Sequence, residues 1–116
     1  MYKRVTDGFA RGGSFQLYMP KEVQVPAIVA MFGAADDNGY VDEEAGYYGE
    51  DWYFEHEETG EAAHVYTRFG VLRVGSKTPE RAEHFAAWFC AQLGFASLAP
   101  KAAGFWISPI GTRVAL

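Results

Sequence analysis

Residues 52–69 read Trp52-Tyr53-Phe54-Glu55-His56-Glu57-Glu58-Thr59-Gly60-Glu61-Ala62-Ala63-His64-Val65-Tyr66-Thr67-Arg68-Phe69. Two runs rich in aromatic and strand-forming residues flank Glu-Thr-Gly-Glu, where Gly60 can take positive φ. That is a β-hairpin pattern. With a loop of two or four residues, Glu55 faces His64, Phe54 faces Val65 and Tyr53 faces Tyr66. Trp52, Phe54, Val65 and Thr67 then share one face, while Tyr53, Glu55, Glu57, His64 and Tyr66 share the other. Such sorting of apolar from polar fixes register when one face is buried. A three-residue loop with a bulge at Gly60 shifts the pairing by one. Val71–Val74 follows a turn at Phe69-Gly70 and extends the hairpin into a meander.

After the meander, Thr78 is a candidate N-cap, Pro79 stands at the first helical position, and Glu80 and Glu83 occupy the first turns. Ala82, Phe85, Ala86, Phe89, Cys90 and Leu93 recur at helical spacing, and Gly94 can end the helix. Before the meander, Tyr2–Thr6 and the alternating Phe15, Leu17 and Met19 suggest a hairpin-like pair with a loose connection at Gly12-Gly13. Val25-Pro26 opens an apolar run closed by Gly33, read as a short buried helix, with a strand as the competing assignment. Phe105–Ile107 and Arg113–Leu116 read as short edge strands. Strands in runs with one long helix give an α+β class. The expected architecture is a mainly antiparallel, curved sheet of five or six strands. One long helix, about 79–93, packs on one face, and residues 1–116 form a single domain.

Sixteen per cent of residues are aromatic and 49% are hydrophobic, which excludes disorder. A single cysteine, Cys90, excludes an internal disulfide and a four-thiolate zinc site. The start, Met-Tyr-Lys-Arg, lacks the apolar core of a signal peptide, and no run suffices for a membrane span. The expectation is a cytoplasmic protein without membrane association. A net charge of −5 disfavours direct nucleic-acid binding, which rests on Lys and Arg neutralising phosphates.

Several stretches approach chemical motifs and stop short. Residues 34–45 place Asp36, Asn38 and Asp42 at calcium-loop positions, but Ala34 and Ala45 replace the first ligand and the bidentate acid. His56-Glu57-Glu58 opens like a helical zinc-protease motif, yet its fifth position is Gly60 and it lies on a strand. Glu55 opposite His64 is a cross-strand pair. With His56 and Glu57 it forms the one candidate polar site for a small enzyme or ligand-binding domain. Cys90 and His84 lie about 120° apart around the helix, too far round for a thiol–imidazole pair. Trp88, on a Glu80–His84–Trp88 flank, is either a partner anchor or a residue covered by the C-terminal tail. Arg68 and Arg73, with Tyr66 and Phe69, could form a base-stacking surface. No catalytic residue, cofactor or metal ligand is assigned.

The strongest asymmetry is charge. Residues 36–61 hold eleven of the fifteen acidic residues and no Lys or Arg, so this segment carries −11 and the remainder +6. Tyr40, Tyr47, Tyr48, Trp52, Tyr53 and Phe54 are interleaved with the acids. Packed like charges of this kind imply a cation or a basic counter-surface. The expected partner is a protein with a basic surface. Asp36, Asp37, Asp42, Glu43, Glu44, Glu50 and Asp51 would steer it, and Tyr47, Tyr48 and Trp52 would anchor it. In size, acidity and architecture the chain resembles small phage-encoded inhibitors, anti-CRISPR proteins among them. That resemblance implies a non-enzymatic protein that occludes a partner's surface. A structural subunit of a larger assembly is the other reading, marked by self-association.

Overall fold

The computed structural model describes residues 1–6, 15–20, 22–37, 41–44, 46, 49–68 and 70–95, with the backbone of 105–107 and 113–115. In chain order the elements are β1 (Tyr2–Val5), β2 (Phe15–Tyr18), α1 (Val25–Phe32), β3 (Asp36–Asp37) and β4 (Glu50–His56). They continue with β5 (Ala62–Arg68), β6 (Val71–Ser76), α2 (Pro79–Gln92), β7 (Phe105–Ile107) and β8 (Arg113–Ala115). The sheet is ordered β1-β4-β5-β6-β2-β7-β8, and β3 also pairs with β4. All of these pairings are antiparallel. The protein is therefore α+β, with a long helix on an antiparallel sheet.

The central hairpin forms, but two residues out of the expected register. Tyr53 pairs with His64, Phe54 with Ala63 and Glu55 with Ala62. The loop is Glu57–Gly60 rather than Glu58–Glu61. His56 N donates to Glu61 O at 2.8 Å, and Gly60, at φ +73°, donates its N–H to His56 O at 2.9 Å. Nδ1 of His56 accepts from the N–H groups of Glu58 and Thr59, fixing the turn one residue early. An even slip leaves each side chain on its expected face. Trp52, Phe54 and Val65 are fully buried with Leu17 and Val74.

Helix α2 follows its sequence signals. The Thr78 hydroxyl accepts from Arg81 N at 3.2 Å, and Pro79 opens the helix. Ala82, Phe85, Ala86, Phe89 and Cys90 are buried against the sheet. Phe54 meets Phe85 at 5.1 Å and Phe89 at 5.7 Å, and Phe32 of α1 stacks on Phe89 at 5.1 Å. Truncating any one of these phenyl groups to a methyl would cost about 3–5 kcal/mol.

Two expectations change. Tyr2–Val5 and Phe15–Tyr18 do not form a hairpin, because β4, β5 and β6 lie between them in the sheet. Proximity in sequence is a prior for pairing, and here β4 and β6 supply better apolar partners. Helix α1 forms at Val25–Phe32, yet only Ile28 is buried, while Val29 and Met31 are exposed. It is a surface helix held at its end. Arg4 Nη1 donates to Phe32 O at 2.6 Å, Arg4 Nη2 to Ala34 O at 2.9 Å, and Trp52 Nε1 to Gly33 O at 2.9 Å. Three successive carbonyls that a helix end leaves open are thus satisfied from two strands.

Candidate functional site

The fold divides the acidic segment. Strand β4 runs through it and separates its two charged parts by about 20 Å, the rise of a seven-residue strand. At one end lie Asp37, Asp42, Glu43, Glu44 and Glu50. At the other is the hairpin tip with Glu57 and Glu58. The loop and hairpin tip therefore do not make one surface.

The ten candidate residues fare differently. Asp36 is neutralised by Arg4, whose Nη2 lies 3.1 Å from Oδ1. Asp51, 1% exposed, and Trp52, fully buried, are inside the fold. Trp52 belongs to the core by strand alternation, and its one polar atom is bound to Gly33 O, so it is no surface anchor. Asp37 pairs with Glu50, whose Oε1 accepts from the Thr67 hydroxyl at 3.1 Å. Asp42 is half-buried, while Glu43 and Glu44 are exposed on a turn closed by Gly46 N donating to Glu43 O at 3.2 Å. Val41, 58% exposed, sits beside them, an apolar group that the reading of acids and aromatics passed over. Tyr47 and Tyr48 lie outside the described residues, as do Tyr40 and Phe69.

Among the described residues, Arg4 reaches Asp36 and Arg81 reaches Glu61, the latter at 3.4 Å. Both come from outside residues 36–61, so local charge segregation overstated the uncompensated charge.

His56 and His64 do not converge. His56 lies on the α2 side, edge-on to Tyr2 at 4.9 Å and 6.2 Å from the His84 ring. Burial, then Glu61, pushes the Tyr2 phenol up to about 12, so it stays protonated, and its hydroxyl is hydrogen-bonded to His84 Nδ1 at 2.7 Å. His64 is on the opposite sheet face, stacked between Tyr53 (5.6 Å) and Tyr66 (4.5 Å), with Cε1 the ring atom closest to where a Cβ on Gly75 would stand. Burial pulls its pKa down to about 4, and its Nδ1 has no hydrogen-bond partner. Burial raises the Tyr66 phenol, and Arg73 and Arg68 oppose that rise in part. Tyr66 is 4% exposed, so it is not an open stacking platform for bases. The Arg73 guanidinium instead sits 5.0 Å over the Tyr18 ring.

Trp88 is half-buried, and the tail side chains expected to cover it lie outside the described residues. Tyr2 of β1 and Phe32 of α1 pack on it at 5.2 and 5.9 Å, and its Nε1 is buried without a hydrogen-bond partner. Cys90 is buried, and burial pushes its thiol up to about 11, which leaves it inert at neutral pH. Among the described residues no group of three His, Cys, Asp or Glu side chains could hold a metal ion. No described helix is long and apolar enough to cross a membrane. Comparison with family models, curated proteins and solved structures returned no match.

Proposed function

We propose that this chain is a non-enzymatic binding protein that docks its acidic sheet end against a basic surface of a protein partner and occludes it. The observation that carries the reading is the turn after β3. Exposed Glu43 and Glu44 follow exposed Val41 on this turn, with Asp37 and Glu50 on the neighbouring strands. Charge steers such an encounter, and a central apolar contact holds it. The steering set is Asp37, Asp42, Glu43, Glu44 and Glu50. Val41 takes the anchoring role that Trp52 cannot fill. Likeness in type to phage-encoded inhibitors suggests that the occluded surface is one that otherwise binds nucleic acid.

The test uses wild type and the D42K/E43K/E44K variant as immobilised baits for host lysate at low and high salt. The expected result is a partner retained by wild type, lost on charge reversal, with an association rate that falls about tenfold or more as salt rises. Equal capture by both baits would rule out acidic docking.

A further inference from the structure

The acidic end of the sheet also carries a groove of about 450 Å³ between the segment leading into α1 and the start of β6. Its walls are Met19, Pro20, Val23, Pro26, Val71 and Leu72. The volume lies in the lower part of the range for ligand sites. The backbone groups around it are already engaged: Met19 N donates to Leu72 O and Val23 N to Pro20 O, both at 3.0 Å. Pro20 and Pro26 have no N–H to offer. The groove thus presents apolar surface together with the polar side chains of Gln24 and Thr67. Val71 at its mouth is 40% exposed, and so is Val29, one helical turn beyond the groove residue Val25.

The rim is acidic. Thr67 lines the groove, and its hydroxyl donates to Glu50 at 3.1 Å, so that carboxylate lies next to the lining. Glu22 is exposed in the turn between the lining residues Pro20 and Val23. Arg68, the next residue after Thr67, leaves on the other sheet face by strand alternation.

We propose that this groove receives an extended basic segment of the partner protein. One apolar side chain enters between Pro20, Pro26 and Val71, and flanking Lys or Arg side chains pair with Glu22 and Glu50. The inference rests on the acidic-docking reading and specifies what the partner must offer: an apolar residue set among cations. Charge complementarity selects this occupant over an acidic or purely polar one.

The probe is a dye-labelled, end-capped peptide of alternating Lys and Leu, read by fluorescence anisotropy. Peptides of alternating Glu and Leu and of alternating Lys and Ser serve as comparisons. Val71→Lys sets a cation in the groove mouth. Glu50→Gln removes the rim charge but keeps an acceptor for Thr67. Circular dichroism confirms that both variants fold. The Lys/Leu peptide should bind wild type, about tenfold more weakly to Val71→Lys and several-fold more weakly to Glu50→Gln. Its amide shift changes should fall on Thr67, Val71 and Leu72. Unchanged binding to Val71→Lys would overturn the proposal, as would equal affinity for the Glu/Leu or the Lys/Ser peptide. The two readings fail separately. If D42K/E43K/E44K loses the lysate partner while Val71→Lys and Glu50→Gln keep it, the groove is wrong and acidic docking stands. If all three variants keep it, acidic docking fails as well.

Discussion

Lowering the pH should loosen this protein through one residue, His64. Its ring is sandwiched between Tyr53 and Tyr66 and lies on Gly75, and burial holds its pKa at about 4 against an ordinary 6.5. The unfolded chain binds a proton at this site below pH 6.5, while the folded chain refuses one until pH approaches 4. Stability contributed by neutral His64 is thus fully present above pH 6.5 and lost progressively between pH 6.5 and 4. At 1.36 kcal/mol per pKa unit, the difference amounts to about 3 kcal/mol. That figure is an upper bound, because His64 as a residue is only half-buried. Urea unfolding at pH 7 and at steps down to pH 4.5 measures the loss. His64→Gln keeps a planar polar side chain without the titration and serves as the reference for carboxylate effects common to both proteins. The wild type should lose about 2–3 kcal/mol more than His64→Gln across that range. Equal slopes, or an NMR titration of folded His64 centred near 6.5, would refute the reasoning.

Two further perturbations test the packing. A Cβ at Gly75 would lie 2.7 Å from Cε1 of a ring that cannot retreat from its two tyrosines, so Gly75→Ala should cost about 1–3 kcal/mol in urea unfolding. Trp52→Phe keeps the ring in the core but strips Gly33 O of its donor, which should cost about 1–3 kcal/mol and raise amide exchange in the last turn of α1.

Legibility in the sequence followed the range of the interaction. Thr78, Pro79 and the Ala82–Cys90 stripe act within one helix, so α2 was readable to within a residue. Faces of the β4–β5 hairpin were readable because Trp52, Phe54 and Val65 alternate with polar neighbours. Its register was not, since slipping by two keeps that alternation. What decided it was the His56 imidazole accepting two turn N–H groups, a side-chain effect without a residue-type signature. Long-range facts were hidden altogether. Arg4 reaches Asp36, and Tyr2 and Phe32 pack on Trp88, across separations that no window of sequence spans. For the same reason the acidic stretch looked like one surface. Its central residues are themselves a strand, and that strand carries the two ends apart. The groove escaped notice because its walls come from two stretches far apart in the chain, neither with a motif of its own.

The place of β1 in the sheet bears on the order in which the molecule assembles. Tyr2 pairs with His56 and Arg4 with Phe54, so the first strand made must wait for about fifty residues before its neighbour exists. Meanwhile β4, β5 and β6 can close on one another through short turns, and β3 can pair with Glu50 and Asp51, leaving the outer edge of β4 bare over Tyr53–His56. That stretch carries Glu55 beside the oily pair Tyr53-Phe54, with Asp51 just before it. Like charges facing one another discourage two nascent copies from zipping together there. When β1 arrives it brings Lys3 and Arg4, cations suited to the edge that has been kept vacant for them.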